Sequence, residues 1–116
     1  MSAMSVSDDS MSPLVVVVVT AASVVRVFLS GDIHPSNHEE LVRALAGVDS
    51  VGAGAVHVNL SGVTSSDLEG VQHLLAFART VRESGLAAVF DGASGEIGSM
   101  IRLLGTEAEV TATLRR

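Results

Sequence analysis

The chain has 116 residues, no cysteine and a net charge of −6 at pH 7, and 47% of its residues are hydrophobic but only 3% aromatic. This length and apolar content predict one globular domain with an aliphatic core. The missing cysteines exclude disulfides and thiolate chemistry. The acidic balance argues against binding to nucleic acid or anionic membranes, whereas a basic protein partner suits it.

The N-terminal segment 1–12 is rich in Ser, Met and Asp, and we expect it to be a disordered tail ahead of a domain over 13–116. It has no Lys or Arg before the apolar run that follows, so it does not resemble a signal peptide. The run 14–19 is too short to span a bilayer. The sequence therefore predicts a cytoplasmic domain that is not inserted in a membrane.

Two β-branched runs, 14–20 and 24–30, predict strands joined as an edge hairpin. The corner 31–35 contains Gly, Asp and Pro and is predicted to end the second strand. A capped amphipathic helix follows over about 36–47. The Gly-rich segment 48–55 lacks the Lys-Ser/Thr ending of a phosphate loop, so we interpret it as a connector.

The centre of the chain predicts a strand, a turn and a helix. Apolar and polar residues alternate over 56–61, and the segment 62–66 has turn composition. Asp67 occupies the N-cap position of a helix that Gly85 ends, so Asp67→Ala is expected to cost about 1 kcal/mol of stability. The glycosylation sequon at Asn59 lies within the predicted buried strand, which argues against its use.

The last third predicts a strand over 86–90, a helix over 95–104 and a tail, 107–114, that adds a short strand or helix. The helix is predicted to stop before Gly105. The resulting order, ββαβαβα and a tail, predicts an α/β fold with a mixed β-sheet. In that sheet an edge hairpin is followed by parallel βα units.

The segment 60–75, LSGVTSSDLEGVQHLL, resembles the central motif of STAS domains, the family named for sulfate transporters and anti-sigma factor antagonists. Asp67 and Gly70 fall on the Asp and Gly that open the family's helix. The family's phosphate-accepting Ser directly follows that Asp, but here the position holds Leu68, and Glu69 replaces the second Ser. The resemblance therefore implies the family scaffold without its standard phosphorylation site.

Two further segments, 29–33 and 97–105, resemble other family motifs in the same order, so the resemblance covers roughly 14–105. It implies a single STAS-like domain with helices mainly on one face of the sheet. It also implies a non-catalytic regulator of transcription that captures an anti-sigma factor of the kinase-like ATPase type. The alternative is a STAS scaffold subunit of a larger signalling or lipid-transport assembly.

We expect a partner surface where the segment 61–69 and the start of the central helix meet the corner 31–35. Loops that follow parallel strands gather at one edge of a sheet, which favours this grouping. The predicted partner-binding residues are Asp32, Ser61, Ser65, Ser66, Asp67, Leu68, Glu69 and Gly70.

Leu68 has two open interpretations: an exposed apolar contact for a partner, or a core residue. Ser65 and Ser66 are possible phosphorylation sites if they point outward, whereas inward hydroxyls would bond to the backbone. Leu68 has no hydroxyl, and the carboxylate of Glu69 carries less charge than a phosphate. The sequence therefore favours a module that has lost the phosphorylation switch over one that has moved it.

The four histidines do not form a metal-binding motif in the sequence. His34 and His38 are four residues apart, but Pro35 keeps them off one regular helix, and His57 and His73 fall in other elements. The sequence therefore predicts no metal and no cofactor.

Serine hydrolysis would need Ser65 or Ser66 paired with His73, oriented by Asp67 or Asp91. The Gly-x-Ser-x-Gly elbow is missing, and the histidine lies on the same helix that the serines precede. The sequence therefore predicts no enzyme.

Overall fold

In the part of the chain that the structure describes, five strands lie side by side in one sheet, in the order in which they occur along the chain. A computed structural model describes residues 13–107 and 113–115; the predicted tail over 1–12 lies outside them. The strands are β1 (Val15–Ala21), β2 (Val24–Ile33), β3 (Ala55–Ser66), β4 (Ala87–Asp91) and β5 (Thr113–Arg115). The helices are α1 (His38–Ala46), α2 (Leu68–Glu83) and α3 (Gly95–Glu107), and the 3-10 turn Pro35–Asn37 precedes α1.

The sheet is mixed, as predicted. Strands β1 and β2 pair antiparallel, and β2, β3, β4 and β5 pair with one another in parallel. The hairpin turn has two residues, Ala22 and Ser23, which both adopt positive φ angles of 53° and 66°. Two positive φ angles are what a type I′ turn requires, so this turn forms without the usual glycine. Of the predicted tail over 107–114, Glu107 ends α3, residues 113–114 belong to strand β5, and residues 108–112 lie outside the described residues.

One face of the sheet carries the core. Alternate residues of β2, β3 and β4 point to this face, and the apolar stripes of all three helices join them in a single cluster. The buried apolar strand residues are Val25, Val27, Leu29, Ile33, Val56, Val58, Leu60, Val63, Ala88 and Phe90. The helices contribute Leu41, Leu45, Val71, Leu74, Leu75, Ala78, Val81, Ile97 and Ile101. This arrangement confirms that the helices pack mainly on one face.

Strands β2 and β3 are both longer than the sequence predicted. Strand β2 continues past residue 30 to Ile33, and the predicted turn over 62–66 is the last part of β3. The two strands stay paired to their ends, with Ile33 opposite Ser66, after two irregularities in the register. Gly31, whose φ is 100°, lies at one of them. Turn-like composition was misleading because pairing between distant strands decides the conformation here.

The predicted end of α2 is confirmed, but the predicted end of α3 is wrong. Helix α2 stops at Glu83, and Gly85 follows it with a φ of 87°, as predicted. Helix α3 continues through Gly105, which is buried inside it, so the predicted end at residue 104 is wrong. Among the described residues, no helix is long and apolar enough to cross a membrane.

Candidate functional site

Asp67 joins strand β3 to helix α2 and caps the helix. Its backbone is extended, and its carboxylate Oδ1 accepts a hydrogen bond from the Gly70 N–H at 2.9 Å. This confirms the predicted N-cap, which satisfies one of the free N–H groups at the helix start. The Asp67 N–H also donates to the carbonyl oxygen of Ile33 at 3.2 Å. The start of α2 is therefore fixed to the end of β2.

Helix α2 begins so close to β2 that Gly70 has no room for a side chain. A Cβ placed there would lie 2.4 Å from Cγ2 of Ile33, 2.6 Å from Oγ of Ser66 and 2.8 Å from Oδ1 of Asp67. Gly70 therefore sets the distance between the helix and the strand ends.

Asp32 holds the ends of β2 and β3 together through its side chain. Its carboxylate accepts hydrogen bonds from the hydroxyl groups of Thr64 and of Ser65, the latter at 3.0 Å. Its carbonyl oxygen accepts from Nδ2 of Asn37 at 2.8 Å, which connects the corner to the start of α1. The structure thus brings Asp32 and Ser65 together as expected, and it adds Thr64 and Asn37.

Leu68 and Glu69 form the exposed first turn of α2. The Leu68 residue is 53% exposed, and the Glu69 side chain is 64% exposed. Of the two interpretations of Leu68, the structure therefore favours the exposed one. We call the surface formed by Asp32, Ser65, Leu68 and Glu69 the α2-start surface.

The other two predicted serines have different surroundings. Ser66 is half-buried, and its hydroxyl donates to the Asp67 carbonyl oxygen at 2.9 Å. Ser61 is exposed, but it bonds to Asn59 and lies against Gly92, the turn after β4. Ser65 is therefore the accessible serine of the pair 65–66.

His38, at the start of α1, is a site residue that the sequence interpretation missed. It is 8% exposed, and its Nε2 lies 2.9 Å from Oδ1 of Asp67, 29 residues further along the chain. Its Nδ1 faces Oε2 of Glu69 at 3.6 Å, and Nε2 of His73 approaches the same oxygen at 3.7 Å. The parallel pairing of β2 and β3 could have indicated this cluster, because it places the starts of α1 and α2 at one edge.

The pKa of Asp67 reflects these contacts. Burial by itself raises the pKa. Three interactions lower it and outweigh the effect of burial: the hydrogen bond with the His38 side chain, the hydrogen bond from the Gly70 N–H, and the electrostatic attraction to His38. The net result lowers the pKa of Asp67 below its ordinary value of 3.8. The carboxylate is therefore ionised throughout the neutral range.

This lowered pKa predicts acid sensitivity. The ionised carboxylate stabilises the fold above its unfolded-state pKa, and that contribution is lost as pH falls through the lowered folded-state value. Asp67→Asn keeps a cap acceptor but removes the titration. We expect the free energy of unfolding of D67N to fall less steeply than that of the wild type below about pH 4. Urea unfolding between neutral pH and about pH 2 measures this difference.

The matched control is Glu83→Gln, which removes an exposed carboxylate at the other end of α2. It should keep the acid sensitivity of the wild type. Equal slopes for D67N and the wild type would show that the Asp67 contacts do not favour its ionised form.

The serine-hydrolase arrangement is not formed. Ser65 donates to Asp32, and Ser66 donates to the Asp67 carbonyl oxygen, so neither hydroxyl is activated by a histidine. His73 instead faces Glu69 and the ring of His38. General-base activation of a serine requires a serine–histidine hydrogen bond, so these groups do not constitute a nucleophilic site as they stand.

Solved structures with the same fold include anti-sigma factor antagonists and transporters. An anti-sigma factor antagonist from Mycobacterium paratuberculosis aligns with a TM-score of 0.66 and 22% identity, over 87% of this chain and 86% of that chain. The anti-sigma factor antagonist SpoIIAA in its unphosphorylated form aligns with a TM-score of 0.61 and 11% identity, over 88% of this chain and 86% of that chain. The murine anion transporter Slc26a9 aligns with a TM-score of 0.67 and 19% identity, over 83% of this chain but only 16% of that chain. At these identities the similarity establishes the fold.

The sequence itself identifies the family. The profile of the family described as "Mlab, STAS domain" matches residues 16–114. No curated protein sequence matches the chain significantly. The chain therefore belongs to the STAS domain family.

Proposed function

We propose that this protein is a cytoplasmic, non-catalytic regulator that captures an anti-sigma factor of the kinase-like ATPase type, as an anti-sigma factor antagonist does. The observation that carries this proposal is the exposure of Leu68 at the first position of α2, where the family resemblance places its regulated serine. An exposed leucine on a rigidly held helix start offers a partner an apolar contact at little entropic cost.

The charge of the α2-start surface suits a partner with basic groups around an apolar pocket. Asp32 and Glu69 contribute carboxylates to this surface, and the ionised carboxylate of Asp67 caps the helix on which Leu68 lies. Complementary charges of this kind steer association and select the partner, while the central apolar contact supplies affinity. The net charge of −6 acts in the same direction.

The proposed mechanism is capture without a phosphorylation switch. Ser65 is exposed, but its hydroxyl bonds to the Asp32 carboxylate, and Glu69 adds a further negative charge in the first turn of α2. A phosphate at Ser65 would lose that hydrogen bond and would be repelled by the carboxylates.

We therefore expect no phosphate on Ser65 or Ser66 after incubation of the wild-type protein with the captured kinase-like partner and ATP. Leu68→Ser restores a hydroxyl directly after Asp67 and is expected to be phosphorylated under the same conditions. Peptide mass spectrometry distinguishes the positions. A phosphate on Ser65 or Ser66 that weakens partner binding would show instead that the switch has moved.

A second candidate function is that of a scaffold subunit in a larger signalling or lipid-transport assembly. The absence of a hydroxyl at Leu68 favours it, because a permanent subunit needs no switch. The same fold also occurs as a small part of a transporter, where the match covers 16% of that chain.

Affinity purification from the source cell with wild-type and Leu68→Asp baits separates the two functions. Recovery of a kinase-like ATPase by the wild type and its loss with L68D supports the capture proposal. Recovery of transport subunits instead supports the scaffold, and recovery of neither class contradicts both.

A further inference from the structure

We propose that His38, Glu69 and His73 form a binding site for a divalent transition-metal ion, with zinc as the best-suited ion. Each residue offers one ligand atom, and the three atoms all lie within 4.8 Å of one another. This site goes beyond the proposed capture function and does not depend on it. It also replaces the sequence-based prediction of no metal, which considered each histidine only within its own element.

The hydrogen bond to Asp67 determines which ring nitrogen of His38 carries the proton. Nε2 of His38 lies 2.9 Å from Oδ1 of Asp67, and an ionised carboxylate only accepts hydrogen bonds, so Nε2 carries the proton. In the neutral ring, Nδ1 then has a lone pair and faces Glu69. Metal-binding histidines commonly donate their second N–H to a carboxylate, which fixes the ring and raises its basicity. Asp67 is therefore a positioning residue for the proposed site.

The gaps within the cluster suit an ion better than hydrogen bonds. Oε2 of Glu69 is 3.6 Å from Nδ1 of His38 and 3.7 Å from Nε2 of His73, both beyond good hydrogen-bonding distance. Donor atoms bound to one tetrahedral zinc are separated by about 3.3 Å, since each lies about 2.0–2.1 Å from the metal. The two Glu69 distances therefore need to shorten by only about 0.3–0.4 Å, and the two imidazole nitrogens, which lie within 4.8 Å of each other, by no more than about 1.5 Å.

The cluster can make that contraction. His38 is buried and anchored, whereas the Glu69 side chain is 64% exposed and the His73 side chain is 31% exposed. The two movable residues are four apart on α2, so they project from the same face of the helix. The imidazole rings of His38 and His73 meet edge to face, with centroids 5.1 Å apart.

The donor set indicates the class of ion. Two imidazole nitrogens and one carboxylate suit zinc and its neighbours, whereas magnesium and calcium prefer oxygen donors alone. Three protein ligands leave a fourth tetrahedral position for water or for an electron-pair donor from a partner. Glu69 belongs to the α2-start surface, so the ion would lie at the border of that surface.

The test is calorimetric titration of the tag-free, chelator-treated full chain with zinc chloride at neutral pH. We expect one zinc per chain and a higher melting temperature with zinc. His73→Ala and Glu69→Gln, at incompletely buried positions, should each weaken binding at least tenfold, and Asp67→Asn should weaken it about tenfold through the ring it positions. Cobalt(II) should give the visible spectrum of a tetrahedral site in the wild type and lose it in H73A.

The matched control is His57→Gln, because His57 lies on the opposite face of the sheet, next to Asp91. It should bind zinc as the wild type does. The proposal is overturned if the wild type takes up no zinc, if H73A and E69Q bind it unchanged, or if H57Q loses it.

Discussion

Gly70→Ala is expected to lower the free energy of unfolding by up to about 2 kcal/mol. The added methyl group would meet the buried Ile33 at 2.4 Å and Oγ of Ser66 at 2.6 Å, so the helix or the strand ends must shift. Overpacking of this kind typically costs about 1–3 kcal/mol, and the better helix propensity of alanine offsets about 1 kcal/mol. A domain of this size has about 5–15 kcal/mol of stability, so the loss is readily measured by urea unfolding.

The matched control is Gly95→Ala, also near a helix start. A Cβ at Gly95 would have no heavy atom within 4 Å outside its chain neighbours and its own helix backbone. G95A should therefore be as stable as the wild type or up to about 1 kcal/mol more stable. If G70A proves as stable as G95A, helix α2 does not press against the end of β2.

Leu68→Asp is expected to weaken binding of the captured partner at least tenfold while leaving the stability of the domain nearly unchanged. Burying a carboxylate in an apolar pocket of a partner costs several kcal/mol unless that pocket supplies a charge. Stability should not fall, because Leu68 is exposed and an acidic residue in the first turn interacts favourably with the helix dipole. Isothermal titration and urea unfolding measure the two effects separately.

Leu103→Asp provides the control for a general effect of added charge. Leu103 is a 64% exposed leucine on α3. L103D is therefore the same substitution as L68D, made at an exposed position of a different helix. L103D should bind the partner as the wild type does. If L68D unfolds the domain, Leu68 is a core residue, and if L68D binds normally, the partner surface lies elsewhere.

The local features of the fold were predictable because each depends on a few neighbouring residues. Asp67 caps α2 through a bond to Gly70, three residues away, and the alternation in 56–61 sets the buried face of β3. Gly85 ends α2 by adopting a positive φ angle. Such features need no knowledge of which strands lie next to each other.

The features that the sequence did not reveal depend on distant pairing. The last residues of β3 look like a turn, yet they pair with β2 as far as Ile33. Gly105 resembles a helix end, yet it is buried within α3. His38 resembled a scattered surface histidine until β2 and β3 brought it to Asp67, 29 residues away. Sequence periodicity contains no information on such contacts.

A single atom, Oδ1 of Asp67, accepts hydrogen bonds from both the Gly70 N–H and the His38 ring. Events at the first turn of α2 and at the first residue of α1 are therefore thermodynamically linked. Where a ligand at one place alters that oxygen and so changes the affinity for a ligand at the other, the second ligand changes the affinity for the first by the same factor, because linkage between equilibria is reciprocal. A partner bound at Leu68 and an ion bound at His38 would thus act as effectors of each other.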